Sequence, residues 1–452
     1  MATLRKDFTE GNITNALIMF AVPFLAANLL QALYGVADVW FVSRYCGAES
    51  VSGVNIGSQI THLLTMAVSG LTVGGTILVA QFFAARKEKD VSETIGTMFS
   101  MLFILAVILS VFTIVFADPI LRLLNTPAEA MSEARSYMNI CMLGMVFVFG
   151  YNAISAVQRG MGDSKRPLVF VAIACTVNII VDWLFVGMMK MGAAGAAWAT
   201  ILAQAISFIC AAVYLGKNGF VFDFRLRSFR IHADKVRLLI KLGVPSSLQS
   251  IIVNTSFLLM NAIVNGFGVS ASAAVGLCGK FNSFAILPSV AMQQSVSAVA
   301  AQNITAKLYG RANKTLGAGL VVSLIFGVSA FILSQFFPEQ ILHIFTDNSA
   351  VVSFGVVYLM AFSFDYLVVP FQFCLAGLLN GSGNTQISMI GSMLSSIVVR
   401  MPVAILLSRT SLELAGVGYA APAATAIGAA VLFVFYLTGR WKQNRTGIQR
   451  ED

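Results

Sequence analysis

LIMFAVP at residues 17–23 and LIKLGVP at 239–245 are close versions of one phrase, 222 positions apart. At that offset Gly57 meets Gly279. One deletion later the offset is 221, where Gly96 meets Gly317 and Tyr137 meets Tyr358. RGMGDS at 159–164 then faces NGSGNT at 380–385, and AAGAAWAT at 193–200 faces LAGVGYAA at 414–421. A near-constant offset over most of the chain identifies an internal duplication.

Composition says what is duplicated. Of 452 residues, 58% are hydrophobic and 11% charged, with a mean hydropathy of +0.82. Soluble domains carry about 25% charged residues. Apolar runs of about 18 residues or more recur from end to end, each long enough to cross a hydrocarbon core as a helix. Backbone groups in lipid must be satisfied within their own segment, so the runs read as helices, and the period-2 alternation of a membrane barrel is absent. The fold class is an all-α polytopic membrane protein.

The expected spans are 14–42, 51–81, 94–117, 135–157, 167–187 and 193–215, then 236–265, 275–304, 314–337, 353–378, 387–408 and 415–437. Twelve spans make two pseudo-symmetric lobes of six. The first lobe is 1–215, a basic linker is 216–235, the second lobe is 236–437 and the tail is 438–452. Six spans per half give both halves the same orientation, related by an axis along the membrane normal.

Basic residues fall in alternate connections: Arg86, Lys87 and Lys89; Arg159, Lys165 and Arg166; Lys307, Arg311 and Lys314; the linker; and the tail. The positive-inside rule therefore puts both termini and the linker in the cytoplasm. The net charge of +9 is an orientation signal, and no nucleic-acid partner is expected. The first apolar run is too long for a signal-peptide core and reads as a retained helix. The six cysteines and three histidines are scattered, which points to neither a disulfide framework nor a zinc site. No GxxxxGK[ST] nucleotide signature occurs. A transporter is expected rather than an enzyme, with no cofactor.

The duplication also sorts the polar residues. What the fold requires recurs in both halves, whereas function can be confined to one. Asp38 has Met260 as its counterpart, Asn178 has Val399, Asp182 has Val403 and Thr200 has Ala421. Asp38 is the sole charge between Ile13 and Val42. Asn178 and Asp182 are four apart and share a helix face. A charged side chain at bilayer depth costs about 2.5–3.5 kcal/mol on the insertion scale, so these carboxylates belong in the bundle interior with partners. Two carboxylates in one low-dielectric site invite a proton, and a sodium ion with Asn and Thr oxygens would satisfy the same site. Tyr34, one turn before Asp38, is a candidate cavity residue. Pro23, mid-span, should bend the first helix. Gly160, Gly162, Gly381 and Gly383 read as turn glycines tolerant of positive φ.

With these residues in hand, the chain resembles the multidrug and toxic compound extrusion family, most closely its DNA-damage-inducible-protein-F-like and related bacterial branches. The likeness rests on P-x14-D from Pro23 to Asp38, VSGVNIG at 51–57, RGMGDSKRP at 159–167, N-x3-D at 178 and 182, and GAAGAAWAT at 192–200. It implies twelve helices in two lobes forming a V, set in a bacterial inner membrane. It also implies export of drugs and organic cations in exchange for H+ or Na+, with Asp38, Asn178, Asp182 and Thr200 as the coupling site. A monomer is expected. Other branches carry acids on the seventh, eighth and tenth helices; here the eighth has Lys280, and Asp365 lies about one turn from that branch's position. Lys280, Asp365 and Arg400 are therefore expected to pair within the second lobe or to touch substrate. The alternative reading is a flippase for lipid-linked oligosaccharide or peptidoglycan precursors, which would need a cationic cavity. A passive channel is a third class, disfavoured by the duplication.

Overall fold

The computed structural model describes residues 7–218 and 220–450, with Leu226 described by its backbone alone. The described residues form helices and connecting turns, with no strand among them. The first half holds α1 (Ile13–Tyr45), α2 (Ala48–Ala84), α3 (Glu88–Val115), α4 (Ala117–Leu123), α5 (Met131–Leu143), α6 (Met145–Gly160), α7 (Lys165–Asp182) and α8 (Gly192–Lys217). The second holds α9 (Ala233–Asn265), α10 (Val269–Ala285), α11 (Leu287–Thr305), α12 (Tyr309–Phe336), α13 (Pro338–His343), α14 (Ser349–Phe362), α15 (Asp365–Gly381), α16 (Thr385–Met393), α17 (Met401–Ser408) and α18 (Glu413–Leu437).

Ten helical stretches among the described residues are long and apolar enough to span a bilayer, and twelve if two bent pairs each count as one span. The bent pairs are the fourth span of each half. In the first, 128–143 meets 145–160 at 50°; in the second, Ser349–Phe362 meets Asp365–Gly381 at 46°. The fifth spans are also interrupted, by π-helical turns at Trp183–Met188 and Leu394–Arg400. Such turns often accompany functional sites. α1 runs as one helix through Pro23, as α9 does through Pro245.

The described residues divide into two compact units. One is Val22–Gly243; the other is Asp7–Ala21 with 244–450. The divisions fall within two residues of Pro23 and Pro245, so they differ from boundaries drawn at the ends of hydrophobic runs. Residues 1–6 and 451–452, which the sequence reading placed in the first lobe and the tail, lie outside the described residues.

In the first unit α2 lies against α3, α5 and α6, α6 against α8, and α7 against α8. The linker belongs to this unit through its own apolar side chains. Phe222 is 1% exposed, and Phe222 and Phe229 ring the side chain of Phe99. Lys235 is ion-paired to Asp90, lies 2.8 Å from Asp234 and 3.8 Å from Glu93, and sits 4.7 Å from the centre of the Phe82 ring. In the second unit α11 lies against α12 and α15, α15 against α18, and α14 against α10 and α18. The N-terminal segment is held there by backbone bonds: Phe8 N–H donates to Gln302 Oε1 at 2.9 Å, and Arg311 Nη2 donates to the carbonyls of Phe8 and Gly11, each at 3.1 Å. The tail also folds onto this unit, with Trp441 buried and Arg450 N–H donating to Thr305 O.

The four loop glycines separate into two kinds. Gly162 and Gly383 have φ of +83° and +81°, as a turn requires. Gly160 and Gly381 are the last helical residues of α6 and α15, and their role is close approach. A Cβ on Gly160 would stand 2.7 Å from Thr76 O, and one on Gly381 2.5 Å from Ser297 O. Small residues let apolar helices come together where no hydrophobic force drives them. The turn explanation thus covers two of the four.

Candidate functional site: a buried carboxylate pair

The first unit positions its polar residues by short ties between helices. The Glu133 carboxylate accepts from Ala193 N–H at 2.8 Å and from Ser50 Oγ at 3.1 Å, setting a negative charge at the N-terminus of α8, where the helix dipole favours it. Ser207 Oγ of α8 donates to Phe170 O of α7 at 2.8 Å, and Tyr151 OH of α6 donates to Pro167 O at 3.0 Å. These contacts fix the rotation of α7 and α8, and with it the direction of their polar side chains.

Asp38 is 5% exposed, Asn178 1% and Asp182 0%. Asn178 Nδ2 donates to Asp38 Oδ1 at 2.9 Å, and Thr200 Oγ1 donates to Asp38 Oδ2 at 3.0 Å. Both oxygens of Asp38 are thus engaged by neutral donors. Asp182, one turn beyond Asn178 and immediately before the π turn, has neither oxygen hydrogen-bonded. Two ionised carboxylates cannot donate to each other; with a proton on one, Asp38 and Asp182 are within hydrogen-bonding reach. The arrangement can therefore take up one positive charge between α1 and α7.

The four residues named from sequence come together here. Tyr34 is beside them, its hydroxyl accepting from Gln204 Nε2 at 3.4 Å. Sequence reasoning missed three neighbours. Gln204 is one turn after Thr200, a spacing that could have shown it, but its counterpart Thr425 is also polar and the comparison of halves passed over it. Tyr137 and Cys141 of α5 lie near enough to Asp38 to feel its charge. Tyr137 recurs as Tyr358, so a rule seeking one-sided residues assigned it to the fold. In the second unit, no ion pair within 4.0 Å joins Lys280, Asp365 and Arg400 among the described residues. Lys280 is exposed, whereas Asp365 and Arg400 are buried and act on one another at longer range. The expected mutual pairing therefore does not form.

The family model MatE matches residues 23–184 and again 245–406, starting at the two equivalent prolines. This chain belongs to the MatE family. Among its MatE relatives, "Probable multidrug resistance protein YoeA" of Bacillus subtilis is 30% identical over 444 residues, covering 96% of each chain. "Probable multidrug resistance protein NorM" of Thermotoga maritima is 25% identical, covering 97% of this chain and 95% of its own. Solved structures share the fold. One, described as "Reverse polarity of binding pocket suggests different function of a MOP superfamily transporter from Pyrococcus furiosus Vc1", superposes with a TM-score of 0.90 at 20% identity, covering 96% of this chain and 98% of that one. Another, "Crystal structure of MATE in the bent conformation", also gives 0.90 at 20% identity and covers 96% of each. The duplicated family match and the apolar helices make this MatE chain a multi-pass membrane transporter.

Proposed function

We propose that the chain is a secondary antiporter that exports cationic and amphipathic organic compounds, as the names of its relatives suggest, in exchange for an entering cation bound at Asp38 and Asp182. The observation that carries this reading is the asymmetry of the pair: Asp38 has a donor on each oxygen, and Asp182, fully buried, has none. A carboxylate that accepts two hydrogen bonds is stabilised as the anion, whereas one buried without donors favours its neutral form. The division of labour supports a proton as the coupling ion, held on Asp182 and directed at Asp38.

Uptake of one charge removes the repulsion between the carboxylates and changes which arrangement of the bundle is favoured, and that differential is what a ligand needs to shift a conformational equilibrium. Site access would alternate between the two faces of the membrane, with both termini and the linker cytoplasmic by the distribution of basic residues. The test is dye export from proteoliposomes with pH and Na+ gradients imposed separately. Export driven by the pH gradient alone supports the proposal; dependence on the sodium gradient alone would move the coupling role to Na+, and export under neither would end the antiport reading.

A further inference from the structure

The second unit buries polar residues of its own beside, and not at, the counterparts of the cation site, which are Met260, Val399, Val403 and Ala421. Tyr358 is the counterpart of Tyr137, Thr425 of Gln204, Asp365 of Gly144 and Arg400 of Ile179, all at the 221-residue offset. Gly144 and Asp365 occupy the bends of their fourth spans, so the elements around both interiors correspond. Ile179 is 41% exposed whereas Arg400 is buried, so the two units also differ in which side chains turn inward. Where the first unit gathers acceptors, the second places Arg400, 5% exposed, at the end of the π turn that leads into α17.

Arg400 is held from one side. Its guanidinium carbon lies 4.4 Å from the centre of the Phe257 ring, an aromatic face that stabilises the charge and neutralises none of it. Its Nε and Nη1 are buried without a hydrogen-bond partner. In the same unit, Tyr366 is 3% exposed and its hydroxyl is likewise unpartnered. Among the described residues Asp365 is the one carboxylate that acts on Arg400, and it is not within 4.0 Å; Thr425 faces it, and its Oδ1 is unpartnered. Nε–H and the Nη1 hydrogens diverge and do not form one fork, but each is a charged donor that an anion can meet, and Arg remains charged under all ordinary conditions.

We propose that the interior of the second unit is a binding site for a small monovalent anionic group, held by the buried guanidinium of Arg400. Asp365 is the competing internal anion, and its charge lowers the affinity of the site. The group has two sources, a free anion such as chloride or a carboxylate carried by an exported molecule. The second source alone rests on the export reading above.

The test uses the purified full-length chain in detergent at constant sodium and ionic strength. Thermal unfolding is followed as methanesulfonate is replaced by chloride or by acetate. A saturable rise in Tm is expected, because a ligand bound to the folded state stabilises it by mass action. Arg400→Gln should abolish the rise, and Arg400→Lys, which keeps a charge but loses the guanidinium's separate donors, should raise the half-saturating concentration about tenfold. Asp365→Asn should lower it, the opposite of what loss of a structural counter-ion would do. If Arg400→Gln does not fold, the Arg400→Lys and Asp365→Asn pair decides. Binding of rhodamine 19, a zwitterion with a free carboxylate, against its ethyl ester rhodamine 6G then separates the sources. Tighter binding of the acid, lost in Arg400→Lys, assigns the site to a substrate carboxylate, and an anion response with equal dye binding assigns it to a free ion. No anion response in the native protein together with equal dye binding, or a response that survives unchanged in both Arg400 variants, overturns the proposal. Failure of rhodamine 6G export in proteoliposomes would count against the export reading alone, since the Tm response is independent of transport.

Discussion

Asn178 and Asp38, 140 residues apart in the chain, meet through a buried 2.9 Å hydrogen bond from the amide Nδ2 to Oδ1. The bond joins the first and fifth spans of one unit and aims a neutral donor at a carboxylate at bilayer depth. It also fixes the chemistry of the neighbouring Asp182, which shares a helix face with Asn178 and is left without a donor of its own.

Replacing Asp38 by Asn keeps the side chain's size and removes its charge. Export of a cationic dye should fall to the level of protein-free vesicles, with expression and elution unchanged. Export within a factor of two of the native rate would remove Asp38 from coupling.

Thr200→Val deletes the donor to Asp38 Oδ2 while preserving shape. A hydrogen bond to a charged group contributes about 1.5–3 kcal/mol. The variant should stay folded and active, but the anionic form of Asp38 loses support, so the pair holds its proton more tightly. The pH profile of export should shift toward higher pH, and an unchanged profile would show that the hydroxyl does not act on the pair.

If the proton drives export, complete replacement of Na+ by choline should leave pH-driven dye transport intact in inverted vesicles. Loss of transport under that exchange would identify sodium as the ion and would place oxygens of Asp38 and Asp182 around it.

Lys235→Met should destabilise the first unit without touching the carboxylate pair. It strands Asp90, whose side chain is 31% exposed, beside an apolar replacement, whereas Glu93 keeps Lys89 at 3.9 Å and His232 at 4.0 Å. Partial exposure reduces the cost of an unpaired charge, so a loss of about 1–3 kcal/mol is expected, read as a lower Tm. Coupling-ion dependence should not move.

Gly381→Ala should be costly and Gly279→Ala should not. The first Cβ would stand 2.5 Å from Ser297 O, which is backbone and cannot give way, whereas the second has nothing within 4 Å. Overpacking typically costs about 1–3 kcal/mol. A Tm for Gly381→Ala equal to that of Gly279→Ala would show that α11 and α15 can separate freely.

The spans, the duplication and the acids confined to one half were legible in the sequence, because each is a local sum or a direct comparison of letters. A run of apolar residues must be a helix in lipid whatever it touches, and a charge inside it must face inward. Asp38, Asn178, Asp182 and Thr200 could be named on that basis. What only the tertiary structure decided is which side chains meet: that both donors go to Asp38 and none to Asp182, that Gly160 and Gly381 serve packing, and that Lys280 stays apart from Asp365 and Arg400. The helices explain the limit. They are apolar around most of their circumference, so the sequence carries little signal for how each is rotated. Rotation is set by the fit of small residues and a few buried ties across spans, and those contacts exist only once the bundle has formed.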